Sequence, residues 1–154
     1  MTFEIEAIEA LKGNLLSIAL RPDHRVFEGC TESEIAQIMK MQGVSRLPLL
    51  YKQFLLLMGR KGGRLQNVLD LFYPTLLELK KLASDSLEFD GNPFQLPSDA
   101  FVFATHLTHL YYYFSTADGD DPPVYGFEEF DKTPRLIDGR LSEFFDGLYH
   151  DLKS

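Results

Sequence analysis

The residues that could hold a metal ion are two histidines close together in the chain, His106 and His109. Imidazole nitrogens are common zinc ligands, but several ligands must converge on one point. The aromatic residues that flank the pair favour a β-strand, in which residues three apart point to opposite faces of the sheet. Neither histidine has a cysteine or a suitable carboxylate nearby. We therefore expect no metal site here.

A second candidate is the acidic run Asp118-Gly119-Asp120-Asp121, which resembles the beginning of a calcium-binding loop. Such a loop has a central glycine and a bidentate glutamate at its twelfth position. Glu129 stands at the twelfth position from Asp118, but the central glycine is missing and Pro122-Pro123 interrupts the loop. We interpret the run as a turn between strands and expect no calcium site.

The segment Gly59-Arg60-Lys61-Gly62-Gly63-Arg64 is basic and rich in glycine. It lacks the glycine-lysine-serine/threonine ending of a phosphate-binding loop, so we interpret it as a loop with solvated charges after a helix. Cys30, next to a predicted helix start, has no set of residues that would activate it as a nucleophile. No nucleophile elbow is present either. We therefore expect no catalytic residue and no cofactor.

The first half of the chain predicts helices. Thr31-Glu32-Ser33-Glu34 fits a capping box, and Gly43 is a suitable end for the helix that it begins. The run from Leu49 to Met58 is apolar on nearly all sides, which predicts the most buried helix. Apolar spacing also predicts two shorter helices, at 3–11 with Gly13 as its end and at 74–83.

The second half is rich in aromatic residues, which favour strands. Strands are predicted at 101–103, 110–114, 124–127 and 135–137. A last helix over 141–152 has apolar residues at helical spacing and would pack on the sheet. Helices that precede and follow a run of strands, without alternating with them, predict an α+β fold: a mainly antiparallel sheet with helices packed against it.

Length and composition are those of one ordinary globular domain. The chain has 154 residues, of which 45% are hydrophobic and 25% are charged. One cysteine excludes a disulfide framework within the chain and favours a reducing compartment. The first residues carry acids where a signal peptide has basic residues, and no apolar run approaches the roughly 20 residues that cross a bilayer. We expect a cytoplasmic protein without membrane contact, in which residues 1–154 form a single domain.

The net charge of −8 is concentrated in one segment. Residues 82–131 contain 10 acids and no lysine or arginine, whereas residues 1–81 hold 11 basic and 9 acidic residues and residues 132–154 hold 4 of each. Such a segment repels nucleic-acid phosphates, and the helix at 48–58, with a single lysine, is unsuited to a DNA groove. The acidic segment 82–131 would instead attract a basic protein. The alternative, that these acids only keep the protein soluble, stays open.

Several motifs in this order resemble the SUKH superfamily, the Smi/Knr cell-wall assembly regulator-like proteins. The matching stretches are Gly29-Cys30-Thr31-Glu32-Ser33-Glu34-Ile35, Leu47-Pro48, Tyr51, Phe54-Leu55, Gly62-Gly63, Asp120-Asp121-Pro122-Pro123-Val124-Tyr125 and Leu141-Ser142-Glu143-Phe144-Phe145. The resemblance covers residues 29–152 and leaves 1–28 as an N-terminal helical extension. Where members often carry a His-Gln-Gly triplet, this chain has Thr105-His106-Leu107-Thr108-His109.

The resemblance implies an α+β fold and a protein-binding role without catalysis. Many bacterial members are immunity proteins that bind and neutralise a cognate toxin, often a nuclease, whereas fungal members are regulators that act through protein contacts. We expect an immunity protein, with a regulatory or scaffold protein without a toxin partner as the alternative. The residues expected to face a basic toxin are Asp118, Asp120, Asp121, Glu128, Glu129 and Asp131.

Overall fold

A computed structural model describes residues 3–153 of the chain. The helices in this part are α1 Phe3–Ser17, α2 Glu32–Gln42, α3 Leu49–Met58, α4 Leu79–Phe89 and α5 Leu141–Lys153. Short 3-10 turns lie at Pro22–Arg25, Gly63–Asn67 and Thr75–Leu77.

The strands form two antiparallel sheets. A small one pairs β1 (Phe27–Glu28) with β2 (Lys61–Gly62). The main sheet has four strands in chain order: β3 Ala100–His106, β4 Leu110–Ser115, β5 Val124–Glu128 and β6 Arg135–Asp138. The predicted α+β fold, with a mainly antiparallel sheet and helices against it, is confirmed.

An aromatic core joins the main sheet to α3 and α5. The ring of Tyr51 lies 5.0 Å from that of Phe101 and 5.2 Å from that of Phe114, measured between centroids. Phe54 stacks on Phe145 of α5 at 4.8 Å. Five of the ten residues of α3 are buried, more than in any other helix of the described part, as its all-round apolar sequence predicts.

The start and end of α2 follow the local sequence signals. The backbone N–H of Glu34 donates to the Thr31 hydroxyl at 3.1 Å, and the Glu34 carboxylate accepts from the backbone N–H of Thr31 at 2.9 Å. Gly43 ends the helix with a φ of 69°, a left-handed conformation that glycine adopts without steric cost. The predicted capping box and stop are both confirmed.

Two helix predictions have wrong boundaries. The helix predicted at 74–83 begins later, at Leu79, and continues to Phe89, because Leu79, Ala83 and Leu87 form a buried row four residues apart. The first helix does not end at Gly13 but continues to Ser17. Leu15 is fully buried together with Ile8 and Leu11, and this packing outweighs the roughly 1 kcal/mol that glycine costs a helix.

The interior position of Gly13 leads to a stability prediction. Gly13→Ala should raise the free energy of unfolding by about 0.5–1 kcal/mol, because alanine favours the helix and its Cβ would meet nothing within 4 Å. Urea denaturation measures the change. Gly43→Ala is the matched control: its Cβ is equally free, but the φ of +69° should make that variant less stable. Equal effects of the two variants would contradict the explanation.

Candidate protein-binding surface

The six acids predicted to face a partner lie in two turns at opposite ends of the main sheet. Asp118, Asp120 and Asp121 belong to the connection between β4 and β5, at 116–123, which we name the cap loop. Glu128, Glu129 and Asp131 lie at the end of β5 and in the turn that follows it. Strands rise about 3.3 Å per residue, so the length of β5 separates the two groups by roughly 15 Å. The sequence places these acids in one segment, but the fold divides them.

Two acids of the cap loop are bound to helix N-termini. Asp120 accepts a hydrogen bond from the backbone N–H of Leu49, the first residue of α3, at 3.1 Å. Asp121 accepts from the backbone N–H of Ser142 in the first turn of α5 at 2.8 Å, and from the Ser142 hydroxyl at 2.6 Å. Helix N-termini carry partial positive charge and unpaired N–H groups, so these carboxylates stabilise the fold. Asp118 is exposed, and its side chain makes no hydrogen bond or ion pair within residues 3–153.

This difference predicts unequal effects of alanine substitution in the cap loop. Asp121→Ala should lower the free energy of unfolding by about 1–2 kcal/mol, because it removes a cap from α5. Asp118→Ala is the matched control from the same loop, and it should change the free energy of unfolding by less than about 0.5 kcal/mol, because this side chain caps no helix. Chemical denaturation of both variants tests this, and a comparable loss in Asp118→Ala would contradict the capping roles.

The second group of acids lies at the other end of the sheet, where three chain segments meet; we name residues 88–92, 106–109 and 128–131 the hairpin end. His106 is the last residue of β3, and His109 follows the tight turn between β3 and β4. The backbone N–H of Glu129 donates to the carbonyl of His109 at 3.3 Å, and the N–H of Phe130 donates to the Asp90 carboxylate at 3.4 Å. These bonds hold the three segments together.

The hairpin end has an excess of negative charge. Arg135 of β6 lies 3.2 Å from Glu128 and 3.6 Å from Asp131, and the His109 ring lies 4.0 Å from Glu129. The pairs of Arg135 are on the surface, where an ion pair contributes little, so Glu128 can exchange partners at small cost. Asp131 is held more firmly, because its carboxylate also accepts a hydrogen bond from the backbone N–H of Glu128 at 2.8 Å. The carboxylates here are Glu88, Asp90, Glu128, Glu129 and Asp131, against the basic residues Lys132 and Arg135.

Sequence reasoning did not identify three apolar residues at the hairpin end. Phe89, Leu107 and Phe130 are 89%, 72% and 72% exposed, whereas phenylalanine and leucine normally contribute to a core. A signal for two of them does exist in the sequence: Phe89 stands between Glu88 and Asp90, and Phe130 between Glu129 and Asp131. An acid on each side favours a position at the surface, where both carboxylates stay solvated.

The basic segment 59–64 is not the solvated loop that its sequence predicts. Arg60 forms ion pairs with Glu34 and, at 3.4 Å, with Glu28, and its guanidinium lies 4.9 Å from the centre of the Tyr73 ring. Lys61 and Gly62 form β2 against β1, which brings Glu28 to this position. Arg60 lines a groove of about 590 Å³, and Leu107 of the hairpin end lines it too.

The single thiol is not poised for nucleophilic chemistry. Cys30 is buried, and this burial is the main reason that its pKa is raised to about 11, with a smaller contribution from the Glu34 carboxylate. The thiol is therefore protonated at neutral pH. In the described part of the chain, no three His, Cys, Asp or Glu side chains converge as metal ligands would. Nor does any helix between residues 3 and 153 have the length and apolar character to cross a membrane.

Comparison with known families agrees with this architecture. The model of the SMI1 / KNR4 family (SUKH-1) matches residues 29–147, which include the cap loop and the hairpin end. Proteins of this family are generally immunity or regulatory proteins without catalytic activity, which suggests a role in protein–protein interaction. A search of curated proteins gives no significant match. The resemblance found in the sequence is confirmed, and the chain belongs to the SMI1 / KNR4 family (SUKH-1).

Proposed function

We propose that this chain is an immunity protein, which binds a toxin domain in the cytoplasm and neutralises it without catalysis. The observation that carries the proposal is the family match over residues 29–147. The fold supports it in a general way, because the two groups of acids lie in surface turns at both ends of the main sheet. Such surfaces suit contact with another protein better than enclosure of a small substrate.

The charge distribution supports a basic partner. All ten acids of residues 82–131 stand in a segment without lysine or arginine, and both the cap loop and the hairpin end belong to it. A negative surface attracts a positively charged protein, speeds its encounter and disfavours nucleic acid. Nucleases carry positive charge where they bind their substrate, so a nuclease toxin would fit the proposal.

Co-expression tests the proposal directly. The gene of a toxin domain adjacent to the gene for this chain is expressed in bacteria with the chain or with an empty vector, and growth is measured. The chain should restore growth, and the two purified proteins should form a complex whose association rate falls as salt rises. Unchanged killing in cells that contain the folded chain would reject toxin neutralisation. It would favour the regulatory alternative.

A further inference from the structure

Three of the most exposed large apolar residues of the described chain lie on the three hydrogen-bonded segments of the hairpin end. They are Phe89, Leu107 and Phe130. Scattered single apolar residues on a surface need no explanation, but a group of them at one end of a sheet marks an interaction site or an aggregation risk. A large net charge opposes aggregation, so an interaction site explains the group better.

The backbone at the same place is strained. Leu107, Thr108 and Phe130 have φ values of 56°, 59° and 68°, and they are the residues other than glycine with positive φ in the described chain. Leu107 and Thr108 occupy the centre of a tight turn that usually takes asparagine and glycine. Glycine or asparagine would remove both the strain and the exposed apolar area. Strain of this kind is concentrated at functional positions.

We propose that Phe89, Leu107 and Phe130 form the apolar centre of a docking surface for a positively charged protein. That the occupant is a protein rests on the proposed function. The location of the docking surface rests on the structure. Carboxylates stand on both sides of Phe89 and of Phe130 in the chain, and such charged neighbours would supply the polar rim that borders the apolar centre of an interface. A second copy of this chain fits poorly, because the same carboxylates would face each other.

The groove beside Leu107 adds a concave part to this surface. Its lining also includes Asp70 and Arg60, and Glu28 and Glu34 form ion pairs with Arg60, so the groove adds no excess of positive charge to the surface. A basic side chain of the partner could contact the exposed aromatic rings and the acids beside them at once. In the cap loop, Asp120 and Asp121 are bound to α3 and α5, which leaves Asp118 as the acid there that a partner could meet without displacing a helix cap.

Asparagine substitutions separate docking from folding. Leu107→Asn and Phe130→Asn should each raise the midpoint of thermal unfolding by about 1–4 °C, because asparagine tolerates positive φ. Each should weaken the affinity for the toxin domain at least about tenfold, as truncation of an interface anchor does. Calorimetric titration measures the affinity. Leu20→Asn is the matched control, since Leu20 is 75% exposed in another part of the chain and should leave the affinity unchanged.

A probe without the toxin keeps the test independent of the proposed function. A short peptide of alternating lysine and leucine is titrated into the ¹⁵N-labelled chain, with a glutamate–leucine peptide as control. The cationic peptide should shift the amide signals of residues 88–92, 106–109 and 128–131. The shifts should be smaller in the Phe130→Asn variant. Shifts centred on the cap loop, or spread over all acids, would overturn the docking surface. The docking surface would also be overturned if both asparagine variants bound the toxin domain as tightly as the wild type. The proposal of toxin neutralisation would then still stand.

Discussion

Replacing Gln42 with methionine should lower the free energy of unfolding by about 3–5 kcal/mol, although the two side chains have similar length. Gln42, the last residue of α2, is buried, and its amide binds the outer edge of β3. Its nitrogen donates to the carbonyl of Val102 at 2.7 Å and to that of Leu76 at 2.9 Å, and its oxygen accepts from the N–H of Val102 at 2.9 Å. Methionine would remove all three of these hydrogen bonds to buried backbone groups.

The other glutamine of α2 provides the control for this prediction. Gln37 is exposed and accepts one hydrogen bond, from the hydroxyl of Tyr73 at 3.0 Å, so Gln37→Met should cost less than about 1 kcal/mol. Urea denaturation followed by circular dichroism gives both values. If Gln42→Met proved as mild as Gln37→Met, the amide would not hold the edge of β3.

The second large effect is expected at Gly29, where the chain passes against the end of α3. A Cβ at this position would lie 1.7 Å from the carbonyl oxygen of Leu56 and 2.5 Å from its carbonyl carbon. Both are backbone atoms, so no side-chain rotation can relieve the overlap. The segment is also tied to the helix, because the N–H of Cys30 donates to the carbonyl of Leu55 at 2.7 Å. Gly29→Ala should therefore cost at least about 3 kcal/mol.

Gly147 of α5 is a suitable comparison for Gly29. A Cβ there would meet nothing within 4 Å, and Gly147→Ala should stabilise the helix by up to about 1 kcal/mol. Thermal unfolding of both variants would show opposite shifts of the midpoint. A Gly29→Ala protein as stable as the wild type would mean that residues 28–30 do not lie against α3 as closely as described.

The parts of the fold that sequence reasoning predicts correctly depend on residues close together in the chain. The capping box of α2 joins Thr31 to Glu34, three residues apart, and the aromatic composition of β3 to β5 reflects a property of each residue alone. Local patterns of this kind determine where an element begins and what type it is. They also carry the family resemblance.

The contacts that sequence reasoning missed join distant residues. Gln42 binds a strand 60 residues away, and Asp120 reaches the N-terminus of α3 across 71 residues. A glutamine at the end of a helix and an aspartate in a loop both look like surface residues until the partner element is placed beside them. The separation of the six acids between two ends of the sheet was missed for the same reason. Composition shows that a segment is acidic, but it does not show where the strands turn.

The burial of Cys30 has a consequence for measuring motion in this protein. Cys30 is the only cysteine, it is 5% exposed, and burial raises its pKa to about 11. An alkylating reagent at neutral pH can react with the thiol only in molecules whose segment 28–30 has moved away from α3. The alkylation rate of the unmodified chain therefore reports how often this segment opens, without any engineered label.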